Sequence, residues 1–279
     1  GPTTVSSSSY TISSNTLTNC SATSSVSGGS SSGANVYGGG ISVAVGAYSY
    51  SSSSSSSVSG STTVSNTSYA ISSNTFTSCR VLSESSGSSN GASAYGGAFS
   101  VVHNVSSFPS GSVQIVAQAI GVSSVLRVNN CSFFESKSTT SSSSCASGAS
   151  NAAGGAVFAL VPSLAVELFS SSFSNSSTAV QCAAFSSSTY SLGGGVSIFQ
   201  AGNVNVTSTN FTRCHAQGVS QSNNVFVSGG GLHAQASDFF SFQNGSITNC
   251  RVLEAFSTFL QSGGGALGTQ NVSFVQISD

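Results

Sequence analysis

The chain has 279 residues, of which 38% are hydrophobic and only 4% are charged, and it contains 31 Gly, 7 Cys and no Trp. Its net charge of -1 and its five Lys and Arg residues argue against partners such as nucleic acid and against a polybasic membrane patch. The 18 Phe residues argue against a disordered chain, and no apolar run is long enough for insertion into a membrane.

Two short motifs recur along the chain and organise it as a repeat. The first is a run of two or three glycines or small residues followed by an apolar residue. Its copies are residues 38–41, 96–99, 154–157, 193–196, 229–232 and 263–266. Glycine is expected at such a position because a tight corner needs a positive φ or a close approach of two backbones.

The second motif precedes the first and ends in Cys or Ser, with an apolar residue three positions earlier. Its copies are residues 15–20, 74–79, 132–136, 172–176, 210–214 and 246–250. The shortest repeat, residues 229–262, contains three stretches rich in β-branched and aromatic residues, around 232–236, 240–248 and 251–258. Their alternation predicts three short strands in each repeat.

A unit of this size cannot bury its apolar face alone, so stacked units have to share one core. No segment has a convincing helical period. We therefore predict an all-β fold, a right-handed parallel β-helix (a β-solenoid) of about six coils, which forms a single domain over residues 1–279.

Ser- and Gly-rich stretches interrupt the earlier repeats, at residues 51–57, 83–94 and 138–153. We interpret them as loops inserted at corners, since a longer surface loop costs little additional entropy. The serine run at 51–57 is a candidate for O-linked glycans, and an unmodified loop is the alternative.

The motifs resemble the repeats of polymorphic outer-membrane and related adhesin β-helix proteins, whose signatures are GGA followed by Ile, Leu or Val, and Phe-x-x-Asn. Residues 154–157 match the first signature, and residues 76–79 and 211–214 match the second with Cys in place of Asn. The resemblance implies a secreted, surface-exposed β-helix used for adhesion or for coat building. It transfers no catalytic residue.

The cysteines predict bridges between neighbouring coils. Adjacent coils lie about 4.8 Å apart, within the Cα range of disulfides. Three candidate pairs follow from the motif alignment: Cys20–Cys79, Cys214–Cys250 and Cys145–Cys182. Cys131 is left over. The alternative is a buried ladder of free thiols, and no C-x-x-C spacing for a metal occurs.

Asparagine sequons are candidates for N-linked glycans, which would help to keep a charge-poor surface soluble. The candidates are Asn66, Asn104, Asn175, Asn205, Asn210, Asn244 and Asn271. Asn210 flanks the inward residue Phe211 and should point outward, as should Asn205. Two further sequons, at Asn19 and Asn130, overlap cysteines and are expected at corners.

The ionisable residues do not predict an active site. Glycoside hydrolysis on a β-helix needs paired carboxylates, but the acidic residues fall at different coil positions: Glu84, Glu135, Glu167, Asp238, Glu254 and Asp279. His103, His215 and His233 also occupy different positions. We predict that the chain is not an enzyme and needs no cofactor, and that Glu84 and Glu254 pair locally with Arg80 and Arg251.

We expect the chain to begin and end in mid-coil and to lack the polar caps that solenoids carry. Exposed strand edges recruit other chains, so we expect head-to-tail self-association into an extracellular fibre or coat, secreted or at the cell surface.

Three other functions are considered for the same fold. One is a stretch of a longer cell-surface adhesin. Another is a carbohydrate-binding module with Tyr37, Tyr95 and Tyr190 along one edge, although packing at a corner explains these residues better. The third is an ice-binding face built from stacked threonines: Thr16, Thr18, Thr75, Thr77, Thr212 and Thr248.

Overall fold

The computed structural model describes residues 3–6, 9–27, 35–45, 62–65, 67–86, 92–103, 124–142, 150–182, 188–220, 224–255 and 260–278. Within these ranges all 33 regular elements are strands, and neighbouring strands pair in parallel, as between Arg80–Ser86 and Lys137–Ser142. The all-β class and the stack of parallel sheets, as in a parallel β-solenoid, are thereby confirmed. The described ranges contain no helix with the length and hydropathy of a membrane span.

Five sheets run along the stack, and each repeat contributes one strand to each of them. Sheet 1 contains Ser9–Ser13, Ser68–Ser72, Val125–Asn129, Ala165–Phe169, Asn203–Thr207, Phe239–Gln243 and Phe274–Ser278. Sheet 2 contains Thr16–Thr18, Thr75–Thr77, Ser132–Phe134, Ser172–Ser174, Asn210–Thr212 and Ser246–Thr248. Sheet 3 contains Ser21–Ser27, Arg80–Ser86, Lys137–Ser142, Ser177–Cys182, His215–Ser220 and Arg251–Ala255.

The other strands complete the cross-section of the stack. Sheet 4 contains Asn35–Tyr37, Ser93–Tyr95, Ser150–Ala153, Ser188–Leu192, Asn224–Ser228 and Leu260–Gly263. Sheet 5 contains Ile41–Val45, Phe99–His103, Val157–Leu160, Val196–Phe199, Leu232–Gln235 and Leu267–Gln270. A separate two-stranded sheet pairs Thr3–Ser6 with Thr62–Ser65.

The strands pair in register, so residues at one motif position form a column along the stack. The apolar position of the second motif forms the column Leu17, Phe76, Phe133, Phe173, Phe211 and Ile247. Neighbouring phenylalanine rings of this column lie 4.7 to 4.9 Å apart between centroids and within 8° of parallel. The predicted stacking of the second motif is confirmed.

Each repeat has five strands rather than the three predicted. The predicted strand at 240–248 is broken at Asn244, whose φ is 50°, and the next corner is at Asn249, whose φ is 55°. Asparagine adopts this left-handed conformation more readily than most residues. The residues on either side of each corner favour strands, so the sequence pattern predicts one strand where the structure has two.

The predicted loops at 83–94 and 138–153 are partly strand, and this prediction was wrong in extent. Serine and threonine side chains of these segments turn inward. The Ser138 hydroxyl donates to the Ala94 carbonyl at 2.7 Å, and the Thr140 hydroxyl donates to the Asn151 carbonyl at 2.8 Å. Internal hydrogen bonds of this kind satisfy the hydroxyls in a buried setting. The serine run at 51–57 lies outside the described residues.

At the glycine motif, backbone segments from different sheets lie in close contact inside the stack. Gly154 has a φ of 62°, and a Cβ on Gly155 would overlap the Gly194 carbonyl oxygen and lie 2.6 Å from the backbone nitrogen of Ser177, where sheet 3 begins. On one side of this contact, sheets 1, 2 and 5 enclose the main apolar core. On the other side, sheets 3 and 4 face each other across hydroxyl-bearing residues and a small apolar cluster of Ala216, Val225 and Val227.

Candidate functional sites

Cysteine occupies both ends of one column, the position that ends the second motif. The column is Cys20, Cys79, Ser136, Ser176, Cys214 and Cys250. The four cysteines are free thiols. The Sγ atoms of Cys79 and Cys214 lie 3.7 and 3.5 Å from the carbonyl oxygens of Leu17 and Phe173. The predicted bridges Cys20–Cys79 and Cys214–Cys250 are therefore absent, and the thiol ladder describes this column.

Burial and the contact between Cys214 and Cys250 give these thiols different pKa values. Burial raises the pKa of Cys79 to about 11. The Cys214 backbone N–H donates to Cys250 Sγ at 3.3 Å. The hydrogen bond between the two side chains lowers the pKa of Cys250, and that bond together with burial raises the pKa of Cys214. Cys250 is therefore the thiol of this pair that ionises first.

Cys131 belongs to a second inward column, at the corner between sheets 1 and 2. Its neighbours there are Asn15, Asn74, Ser171 and Thr209. The Cys131 backbone N–H donates to the Ser171 hydroxyl at 3.2 Å, and its Sγ lies 3.3 Å from the Asn129 carbonyl. Cys131, which has no predicted disulfide partner, thus occupies a corner position where other repeats have an amide or hydroxyl side chain.

The third candidate bridge involves a residue that is not described. Cys182 is buried and is disulfide-bonded. Its predicted partner, Cys145, lies outside the described residues, so the pairing Cys145–Cys182 stays a prediction.

The described sequons differ in exposure. Asn210, Asn244 and Asn271 are exposed, whereas Asn175 and Asn205 are half-buried. The Asn210 side-chain oxygen accepts a hydrogen bond from the Ser246 hydroxyl at 2.8 Å. The exposed residues Asn19 and Asn130 stand at corners, as predicted, with φ of 55° and 51°. Two further candidates, Asn66 and Asn104, lie outside the described residues.

The carboxylates lie apart from one another. Glu167 on sheet 1 forms an ion pair with Arg127 at 2.6 Å. Glu84 and Arg80 are both exposed and form no ion pair with each other, so this predicted local pair is absent. The side chain of Glu254, like Asp279, lies outside the described residues. No group of three or more His, Cys, Asp or Glu residues that could hold a metal occurs in the described part of the chain.

His233 is the one fully buried histidine of the described residues. Its ring lies 5.8 Å from that of Phe199, and its Nδ1 is 3.1 Å from the Ser228 hydroxyl. Burial lowers the pKa of His233 to about 4. The residue is therefore neutral in the folded protein at neutral pH. The side chain of His103 is not described.

Four of the five basic residues share one corner of the stack, between sheets 2 and 3. The first column of sheet 3 is Ser21, Arg80, Lys137, Ser177, His215 and Arg251. Arg213 occupies the corner two residues before His215. We call Arg80, Lys137, Arg213, His215 and Arg251 the basic ridge. Sequence reasoning missed it, although all but Arg213 directly follow the last residue of the second motif.

The outward positions of sheet 2 form two columns without charge. They are Thr16, Thr75, Ser132, Ser172, Asn210 and Ser246, and Thr18, Thr77, Phe134, Ser174, Thr212 and Thr248. The threonines align as predicted for an ice-binding face. Phe134, which is 39% exposed, interrupts the second column.

The tyrosines near the glycine motifs pack into the fold. Tyr95 is 8% exposed and stacks on Tyr37, with ring centroids 5.0 Å apart. Tyr190 lies 6.0 Å from Phe226. These rings join a cluster on the outer faces of sheets 4 and 5. Packing, rather than an open groove, is therefore the role of Tyr95.

The last described strand of sheet 1 exposes apolar side chains. Phe274, Val275 and Ile277 are 56%, 42% and 64% exposed. Val275 and Ile277 continue the columns of Phe240 and Phe242, which are buried. At the other end of sheet 1, in the strand Ser9–Ser13, Tyr10 is 37% exposed.

No family model, no curated protein and no solved structure matches the chain. The resemblance to adhesin repeats therefore stays a prediction.

Proposed function

We propose that the chain is a structural part of an extracellular, glycosylated fibre or coat in which coils of a right-handed β-solenoid, about six in this chain, stack end to end. The observation that carries the proposal is the exposed apolar strand Phe274–Ser278 of sheet 1. A further coil on this strand would continue the main core.

The exposed strand favours being covered. Val275 and Ile277 point to the same side as the buried residues Phe240 and Phe242. Full burial of one such aliphatic side chain stabilises by about 1.5–3 kcal/mol. Among the described strands, none pairs with the outer edge of this strand, and such an edge is a template for pairing with another strand.

The first coil has the features that a covering coil needs. Leu17, Cys20 and Gly38 occupy the same columns as Ile247, Cys250 and Gly264. A second copy would therefore extend each column of the core. Sheet 1 has seven strands and the other main sheets have six, so gapless stacking requires one strand of sheet 1 to be displaced.

The test compares two charged substitutions on the same strand. Ile277→Lys places a charge in the proposed contact, whereas Gln276→Lys places it on the outward position beside Ser241. We expect light scattering and electron microscopy to find end-to-end assemblies of the wild-type chain and of Gln276→Lys, and their loss in Ile277→Lys. A wild-type chain that stays monomeric at all concentrations would contradict the proposal.

A single stretch of a longer adhesin is the first alternative, and recovery of one continuous polypeptide with many such repeats from native material would favour it. The second is the ice-binding face, favoured by the aligned threonines of sheet 2. Thermal hysteresis at millimolar protein would support that function, and its absence would dismiss it.

A further inference from the structure

The chain carries little charge, and its positive charge is concentrated in one place. The basic ridge spans four steps between adjacent strands of sheet 3, from Arg80 to Arg251, which corresponds to about 19 Å. The side chains of Arg80, Lys137, Arg213 and Arg251 are exposed. The described outer faces of sheets 1, 2, 4 and 5 hold no Lys or Arg other than Arg127.

The positive charges of the ridge are not neutralised within the described residues. Arg127, the fifth basic residue, is paired with Glu167, whereas the ridge residues form no ion pair. Among the described side chains, the one carboxylate at this corner is Glu135, which accepts a hydrogen bond from the Ser78 hydroxyl at 3.2 Å. His215 is half-buried, and its pKa is lowered by burial and by the positive charges of Arg251 and Lys137.

An exposed aromatic ring lies beside the ridge. Phe134 ends a strand of sheet 2, one residue before Glu135 at the corner, and Thr77 and Ser174 flank it in the same column. The ring is 39% exposed in a column that is otherwise made of Ser and Thr. Hydroxyls, one exposed ring and a line of cations are thus adjacent on one face.

We propose that the basic ridge, together with Phe134, binds an anionic polysaccharide with carboxylate or sulfate groups. The proposal relies on the extracellular setting proposed above. Guanidinium groups form paired hydrogen bonds with such anions, and a line of cations releases the counterions of a polyanion. The exposed ring offers a flat apolar surface to one sugar unit. Binding of single-stranded nucleic acid would call for several stacking rings, and the ridge has one.

The experiment measures binding of the wild-type chain to immobilised heparin and alginate over a range of salt concentrations, with neutral dextran as the control polymer. The test variant combines Arg80→Gln, Lys137→Gln, Arg213→Gln and Arg251→Gln. The matched control is Arg127→Gln, which removes one exposed cation from outside the ridge. We expect the fourfold variant to bind about tenfold more weakly or worse and with a smaller salt dependence, and the control to bind nearly as the wild type does.

A second pair of variants tests the ring. Phe134→Ala should weaken binding several-fold, whereas Phe169→Ala removes a ring that is 48% exposed on sheet 1 and should not. Circular dichroism checks that each variant is folded. Unchanged binding in the fourfold variant, equal loss in Arg127→Gln, equal binding to dextran, or tighter binding to single-stranded DNA would each overturn the proposal. Light scattering reports assembly separately, so a failure to bind and a failure to assemble are distinct results.

Discussion

Replacing Phe173 by alanine removes the middle of the aromatic column that runs through the main core. Its side chain is fully buried, and its ring stacks on Phe133 at 4.7 Å and on Phe211 at 4.9 Å. Truncation of a buried Phe costs about 3–5 kcal/mol, and each stacked pair contributes about 0.5–1.5 kcal/mol beyond burial. Because the parallel ladders on both sides hold the strands at about 4.8 Å, the cavity cannot close. We therefore expect a loss of about 4–5 kcal/mol in the free energy of unfolding.

The matched control for this variant is Phe134→Ala, which removes a ring from the outer face of the same sheet and should cost less than about 1 kcal/mol. Urea denaturation, followed by far-ultraviolet circular dichroism and by tyrosine fluorescence, measures both variants, since the chain has no Trp. Costs for Phe173→Ala and Phe134→Ala that agree within about 1 kcal/mol would refute the stacked column.

Three other properties follow from the described contacts. Burial lowers the pKa of His233 from 6.5 to about 4, so the contribution of its neutral ring to stability is fully present above about pH 6.5. About 3 kcal/mol of the free energy of unfolding should be lost as the pH falls towards 4. Urea denaturation over this pH range should find a smaller loss in His233→Phe, and an equal loss would contradict a buried, neutral His233. Iodoacetamide should modify Cys250, whose pKa is lowered, before the buried Cys131, whose pKa is raised by burial. Peptide mass spectrometry measures the order of modification. Modification of Cys131 first would contradict the positions of these two cysteines in their columns. Gly155→Ala should destabilise the fold by about 2–3 kcal/mol, because its new Cβ would meet backbone atoms. Gly265→Ala is the control and should cost little, because no atom lies within 4 Å of its new Cβ. Equal costs of the two variants in urea denaturation would argue against the close approach at Gly155.

The sheet corners mark the limit of what local patterning predicts. The segment 240–248 is predicted as one strand, and yet Asn244 turns the chain from sheet 1 into sheet 2. The apolar positions move from Phe240 and Phe242 to Ile247 across this corner, and a single residue with positive φ is enough to make it. The serine-rich segments 83–94 and 138–153 are predicted as loops for a related reason. The sequence does not distinguish a serine whose hydroxyl is hydrogen-bonded inside the stack from a serine whose hydroxyl faces water.

The basic ridge marks the same limit for function. Arg80 and Arg251 were compared with Glu84 and Glu254 along the sequence, where a local ion pair is the simplest expectation. In the stack, their nearest equivalents are instead Lys137 and His215, which belong to other coils. Residues far apart in the sequence become neighbours because each coil returns to the same position.

The sequence by itself determined the all-β class, the parallel stack and the columns of Phe and Cys. It also aligned the glycine motif correctly except in the last copy, where Gly264 rather than Gly263 continues the column of Gly229. Repeated motifs determine a register directly, since one in-register pairing buries every copy of an apolar residue at once. Only the tertiary structure decided that Cys20, Cys79, Cys214 and Cys250 form no bridges with one another, that a hydroxyl-lined region lies beside the apolar core, and that the basic residues form a ridge. These properties depend on side-chain direction at corners and on contacts between coils, which the spacing of motifs along the chain does not specify.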